Sequence, residues 1–314
     1  TIRVPTQAGY AALQNVPLRD GQAATSRQAV LREISFLQDV YAANPVFRNV
    51  NNQLVNGVSI ETGQTNVSIL DPSMYHTGLG RGDYRPFASD NFTVRYSLND
   101  RFDDNAISYL GFGDRFAGYQ DLVDTNFAVS NAHTFSSNKL NEFRFSLVRR
   151  NLDFPENDPV SPSVTITGLF GIGGASNFPQ GRITDAYQFS DTVTWSAAKH
   201  NLKFGADVRL NDVTNNAAFD SKGTFTFDNL QAYMNNNASR VAQALQTASF
   251  QVQQWQSFFF AQDDFRVSSA LTLNLGLRYE WSDVPLGMFG TTDPQVAAAM
   301  GPGPATGEKK NWAP

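Results

Sequence analysis

Residues able to do chemistry are sparse in this 314-residue chain and fall into few groupings. Asp153, Glu156 and Asp158 cluster in a stretch interrupted by Pro155 and Pro159. Carboxylate oxygens at such spacing could hold calcium, but the order is not that of an EF-hand, and a solvated acidic loop accounts for it without an ion. Gly168, Gly171, Gly173 and Gly174 form a Gly-rich run that lacks the Lys-Ser/Thr and following helix of a phosphate-binding P-loop, so it reads as a surface loop. His76, His133 and His200 fit no His-x-x-x-His pattern. Cysteine is absent, which excludes disulfides, thiolate metal sites, iron–sulfur clusters and Cys nucleophiles within these residues. No nucleophile elbow frames any serine. Asn66-Val67-Ser68, Asn91-Phe92-Thr93 and Asn237-Ala238-Ser239 match glycosylation acceptors and read as chance matches. The sequence predicts no enzyme, no metal and no cofactor.

Such a chain must work by shape and surface, so the elements that present its side chains carry the information. The chain is 41% hydrophobic, which argues against general disorder, yet only 17% charged, against roughly 25% in soluble domains. Aromatics reach 12%, and the net charge of −5 speaks against a nucleic-acid partner. Mean hydropathy is −0.33, and no apolar run is long enough for a transmembrane helix. A membrane β-barrel remains open to such numbers, because alternation hides its hydrophobicity from any average.

Alternation is what the sequence displays. Leu202, Phe204, Ala206, Val208 and Leu210 take even positions, and Lys203, Gly205, Asp207 and Arg209 fill the odd ones. Leu271, Leu273, Leu275, Leu277, Tyr279 and Trp281 alternate likewise with Thr272, Asn274, Gly276, Arg278 and Glu280. Period two means a strand with one apolar and one polar face. Weaker copies run through Phe92–Leu98, Val123–Val129, Phe143–Leu147 and Tyr187–Trp195, where Asp191 breaks the apolar parity. Phe250–Val267 is long and mixed: Phe258-Phe259-Phe260 interrupts alternation, and Asp263 shares the parity of Phe259 and Phe265.

Short links are predicted at 99–104, 136–138, 197–200 and 268–270, and long ones at 114–121, 152–185 and 213–249. Hairpins with short turns at one end and long loops at the other predict an all-β fold: an antiparallel up-and-down outer-membrane β-barrel fragment of about eight strands. A soluble β-sandwich also alternates, but its strands are usually about 5–6 residues long. Nor does it tolerate Arg95, Arg144, Lys203, Asp207, Arg209, Arg278 and Glu280 on one set of faces as easily as a wet lumen does. Those seven are the lumen-facing candidates. Leu202, Phe204, Val208, Leu271, Leu273, Leu275, Leu277, Tyr279 and Trp281 are the lipid-facing ones. Two helices are expected in connecting regions, one from Ser26 through Val30, Ile34, Leu37 and Tyr41 to Asn44-Pro45, the other from Asp228 through Leu230 and Tyr233.

Phe260-Ala261-Gln262-Asp263-Asp264-Phe265-Arg266-Val267, followed by Leu271-Thr272-Leu273-Asn274-Leu275-Gly276-Leu277-Arg278-Tyr279-Glu280, resembles the TonB-dependent outer-membrane receptors. It is most similar to their Oar-like branch, whose members carry a carboxypeptidase-regulatory-like domain. His200–Asp207 and Gly223–Leu230 resemble neighbouring segments of the same family. The resemblance covers residues 90–283 and is specific in 185–283. It implies a barrel of about 22 strands closed around a plug. It also implies a substrate bound on the outer face, an inner-membrane TonB motor, and uptake of a large nutrient such as an oligosaccharide, a peptide or a metal chelate. Plug and motor-binding box are not among these residues. The expected partners are outer-membrane lipid, that plug and that motor, and the expected location is the bacterial outer membrane. Residues 1–89 are expected to be an extracellular-loop-like region, 90–283 the hairpins, and 284–314 a Gly/Pro-rich loop leading to a further strand; Thr1 and Asn311–Pro314 suggest a piece of a longer protein. A passive porin, a structural or adhesive outer-membrane protein, and a secreted soluble glycan-binding β-domain stay open as alternatives.

Overall fold

The computed structural model describes residues 1–43, 45–67, 70–108, 114–244 and 248–283. In chain order the elements are β1 (Ile2–Pro5), α1 (Gln7–Leu13), α2 (Ala24–Glu33), α3 (Leu37–Ala42), β2 (Arg48–Val55) and β3 (Val58–Thr65). There follow β4 (Ser73–Tyr84), β5 (Asp90–Ser108), β6 (Ala117–Ser136), β7 (Lys139–Phe154), β8 (Ser163–Ile166) and β9 (Gly171–Ile172). The chain continues with β10 (Gln180–Ala197), β11 (His200–Ala217), β12 (Thr224–Phe227), α4 (Leu230–Met234), β13 (Arg240–Ala242), β14 (Ala248–Arg266) and β15 (Thr272–Ser282).

Eight strands make one antiparallel wall in the order β15-β14-β11-β10-β7-β6-β5-β4. Among the described residues β4 and β15 each have a neighbour on one side only, so the wall is open. Its interior strands are 16 to 20 residues long. At about 3.3 Å per residue, 18 residues reach about 60 Å, well past the 9–11 residues a tilted strand needs to cross hydrocarbon. The turns 137–138, 198–199 and 267–271 lie at one end of the wall, and the long links 155–179 and 218–247 at the other.

Several boundaries differ from the sequence reading: the expected long links 152–185 and 213–249 are shorter and 114–121 ends earlier, because β6 already begins at Ala117, β7 runs to Phe154, β10 begins at Gln180, β11 runs to Ala217 and β14 begins at Ala248. The first short turn is 85–89; residues 99–104 sit inside β5, and 99–103 of them pair with β6. The wall therefore begins at Ser73 rather than at residue 90. β4 escapes a pattern search because Gly78, Gly80 and Gly82 occupy the positions where the other strands put Leu, Phe or Val, and a Cβ there would meet open space. Residues 284–314 lie outside the described residues.

The buried core is elsewhere. Leu13, Ile34, Leu37, Val55, Ile60, Ile166, Ile172, Leu230 and Met234 are all nearly inaccessible, and they belong to one cluster drawn from residues 4–60, Phe116 and the two long links. These segments fold into a cap at the long-link end. It contains the three-stranded sheet β1-β3-β2, the four-stranded sheet β13-β12-β8-β9 and the helices. The first expected helix has Ala23 in place of Ser26 at its N-cap position, three residues early, and is split by a 3-10 turn at Ile34–Phe36. The second is capped by Asn229, which accepts from the Ala232 amide at 2.9 Å, and not by Asp228. Thr6 caps α1 by accepting from Gly9 N at 3.1 Å.

Candidate functional site

Antiparallel pairing places directly opposed residues on one face, so the register decides which side chains share a surface. Leu202, Phe204 and Ala206 of β11 stand opposite Asp263, Ala261 and Phe259 of β14, which stand opposite Leu275, Leu277 and Tyr279 of β15. In the other direction, Tyr187 and Phe189 of β10 meet Leu147 and Phe145 of β7, and these meet Phe127 and Val129 of β6, then Tyr96 and Val94 of β5. One apolar face thus runs across seven strands and ends on the glycines of β4. Its large side chains are exposed, Leu277 to 73% and Phe189 to 51%. Leu202, Phe204, Val208, Leu273, Leu275, Leu277, Tyr279 and Trp281 all lie on it. Leu271 stands in the 267–271 turn, before β15 begins, where it exchanges backbone hydrogen bonds with Ser268.

Three carboxylates break the apolar face, and each has a partner on it: Asp90, at the start of β5, lies 2.7 Å from His133 Nδ1. Asn141 donates to Asp191 at 2.5 Å, and Asp263 lies 2.7 Å from His200 Nδ1, whose ring stacks on Phe265. The apolar run in β11, Leu202 to Leu210, is about 30 Å of strand, or about 21–23 Å of height at a tilt of about 40–45°. Beyond it the same face turns polar: Arg149 binds Asp185 through both oxygens at 2.7 and 2.8 Å, and Asp212 accepts from Gln251 and Gln253 at 2.8 Å. The apolar belt is therefore bounded, and the strands continue past it toward the cap.

Arg95, Arg144, Lys203, Asp207, Arg209, Arg278 and Glu280 all occupy the opposite face. Arg209 pairs with Asp207 two residues away at 2.8 Å, and Arg278 pairs with Glu280. The Phe258-Phe259-Phe260 run is explained by both faces. Phe259 joins the apolar belt; Phe258 lies on the polar face under the guanidinium groups of Arg209 and Arg278, at 5.2 and 5.7 Å. Phe260 lies against Gly205, where an added Cβ would come within 2.6 Å of its ring. A recess of about 350 Å³ opens on this face between Arg95, Arg144 and Asp207.

The cap is tied together across the chain by buried polar contacts. The Arg27 guanidinium donates to Met234 O, Val16 O, Pro17 O and Gln22 Oε1 at 2.6–3.3 Å, and burial lowers its pKa. Tyr233 donates its hydroxyl to Val30 O at 3.0 Å, and burial raises its pKa well above the ordinary tyrosine value. Phe116, from the link between β5 and β6, packs edge-on against Phe36 at 5.3 Å, anchoring the cap to the wall. A cavity of about 560 Å³ lies at this junction, lined by Tyr119, Asp121, Asp153, Gln180, Asn216 and Ser249 among others.

The acidic trio does not converge. Glu156 pairs with Lys222 at 2.6 Å, both side chains buried, and desolvation raises the Glu156 pKa despite that partner. Asp158 is partly desolvated as well, but hydrogen bonds from Ser161 and the Val160 amide outweigh that and lower its pKa. Asp153 faces the junction cavity. No group of three or more potential metal ligands occurs among the described residues. The Gly-rich run is part of the cap's packing: a Cβ on Gly173 would meet Pro162 O at 2.0 Å, and one on Gly174 would meet Glu156 Oε1 at 2.0 Å. Sequence reasoning missed both recesses, because their walls are assembled from register.

The family model described as "Outer membrane beta barrel domain" matches residues 4–309. No curated protein matches the chain. Among solved structures the chain is similar to the outer membrane transporter YddB from Escherichia coli, with a TM-score of 0.46 and 8% identity, over 76% of this chain. The chain spans 30% of the length of that transporter.

Proposed function

Because the chain belongs to the outer membrane β-barrel domain family, and so lies in the bacterial outer membrane, we propose that it is part of the wall of a TonB-dependent transporter taking up a large nutrient. The observation that carries the reading is the separation of faces across the wall, an apolar belt of bounded height on one side and seven charged residues on the other. An apolar face exposed on that scale needs lipid against it. A charged face of the same sheet needs water, or a polar body filling the barrel. The Phe260–Arg266 and Leu271–Glu280 segments, similar to those of the TonB-dependent receptors, extend the reading to an energy-coupled transporter. Its partners are then lipid, a plug and the inner-membrane motor, with no nucleic acid, no cofactor and no catalysis. The cap, at the end away from the short turns, is the outward, substrate-facing side.

Single-cysteine labelling of the full-length protein in bilayers tests the faces. Cysteine at 202, 204, 206 and 208 should react with a lipid-restricted probe, and cysteine at 203, 205, 207 and 209 should not. Equal labelling of both sets would sink the assignment. Uptake that survives a protonophore would leave the wall intact and replace the energy-coupled transporter with a passive porin.

A further inference from the structure

On the polar face, Arg95 of β5 stands directly opposite Arg81 of β4. Like charges so placed destabilise a sheet unless something offsets them. Arg81 is offset within its own strand by Asp83 at 2.9 Å, Arg209 by Asp207 at 2.8 Å, and Arg278 by Glu280. Arg144 has only a 3.5 Å contact with Glu142. Among the described residues, Arg95 is the one of these five arginines with no acidic partner.

Arg95 and Arg144 are separated by β6, which presents Ala128 opposite Arg95 and Ser130 opposite Arg144. Both are too small to fill the space between the two guanidinium groups. What results is the recess of about 350 Å³, with Ser146 and Ser190 also in its lining. That volume is at the small end of ligand sites, which run from about 300 to 1,000 Å³. Asp207 at the far rim is already engaged by Gln188 at 2.5 Å and by Arg209. Two guanidinium groups, one of them without an acidic partner, beside serine hydroxyls that can donate make a surface rich in donors, and the one carboxylate on its rim, Asp207, is already engaged.

We propose that this recess binds the oxyanion group (carboxylate, phosphate or sulfate) of a small solute on the lumen wall. The proposal rests on the reading that the polar face lines the lumen. The planar guanidinium forks of Arg95 and Arg144 can each engage two oxygens of one oxyanion, and the selectivity of the recess comes from that geometry.

The test uses the full-length protein in bilayers carrying Ser146→Cys, with Asn274→Cys on the same face as reference. Each thiol is offered a sulfonate-bearing and a trimethylammonium-bearing methanethiosulfonate reagent of similar size. The Ser146→Cys thiol should favour the anionic reagent by at least about tenfold over the reference, since a cleft of one charge concentrates its counter-ion by that order or more. Arg95→Gln should abolish the preference, and millimolar inorganic phosphate should slow the anionic reagent. If neither variant reacts with either reagent, the polar face is not wet and the reading beneath the proposal fails. If both react with the same ratio, unmoved by Arg95→Gln, the face is wet but the anion site is refuted. Reaction at Asn274→Cys without reaction at Ser146→Cys would also overturn it, assigning the recess to a protein segment that fills it.

Discussion

The cap and the wall solve the burial problem in opposite ways. In the cap, apolar side chains from segments as distant as Val4 and Met234 close on one another, and Ile34, Leu37 and Leu230 are fully inaccessible. In the wall, side chains just as apolar stay open, and across the belt almost none is buried. The cap therefore carries its own hydrophobic driving force in water. The wall obtains cohesion from backbone ladders and cross-strand pairs, each pair contributing roughly 0.2–1 kcal/mol, and leaves exposed the apolar face that the proposed function assigns to the bilayer. On the proposed function, the two regions answer to two solvents although one chain threads back and forth between them.

The sharpest way to break this contrast is to cut into the cap core. Ile34→Ala and Leu230→Ala should each cost about 2–5 kcal/mol of cap stability. Hydrogen exchange of the full-length protein should then quicken in residues 24–42 and 229–234 and stay unchanged in 200–210. Equal acceleration in the wall would show that cap and wall unfold as one unit. Next in size is Phe204→Arg on the apolar belt, expected to cost about 2–4 kcal/mol when folding is measured in lipid vesicles. The same change should leave exchange in the cap as it was.

A smaller effect separates two carboxyls of one cap loop. Glu156 has a folded pKa raised above its ordinary 4.5, chiefly by desolvation. Its contribution to stability is thus full below about that value and is lost as pH rises through the folded value. Asp158 has a lowered pKa, so its contribution is present above the ordinary 3.8 and is lost as pH falls through the folded value. Cap stability should decline on both flanks, and Glu156→Gln should flatten the alkaline flank alone. An alkaline decline that persists in Glu156→Gln would assign it to another group.

The same division explains what could be read from the sequence. Leu202–Leu210 and Thr272–Ser282 alternate because their two faces, one apolar and one polar, impose opposite preferences on neighbouring residues, so the belt is legible strand by strand. The alternation fades at Asn99–Asp104, where Phe102 is the one apolar side chain among acids, an arginine and an amide, and the segment reads as a turn. Gly78, Gly80 and Gly82 silence it in β4. In the cap, the spacing of Val30, Ile34, Leu37 and Tyr41 announced a helix. Nothing local tells Arg27 that its acceptors are Val16 O and Met234 O, because that contact depends on how a link 207 residues away folds back. The seven charged candidates share a face by parity alone; the recess between Arg95 and Arg144 appears only when the register of β6 is known.

The smallest expected effect is the most discriminating between the wall and any water-soluble sheet. Lys203 is on the polar face, opposite Thr194 and Gln262, and has no ion-pair partner among the described residues. Surface substitutions away from special features usually fall within about 0.5 kcal/mol, so Lys203→Gln should leave folding in vesicles almost untouched. Its neighbour Phe204, one residue along the strand, should be sensitive to charge on the scale given above. In a soluble β-sandwich the same alternation would put Phe204 in a dry core and Lys203 in bulk water, and Phe204→Ala would cost about 3–5 kcal/mol by leaving a cavity. Against lipid no cavity forms, because acyl chains fill the space, so Phe204→Ala should cost clearly less than Phe204→Arg. Unfolding of Phe204→Ala and Phe204→Arg in vesicles, with Lys203→Gln as the silent control, checks this. A Phe204→Ala cost equal to that of Phe204→Arg would mean that the apolar face is covered by protein and not by lipid.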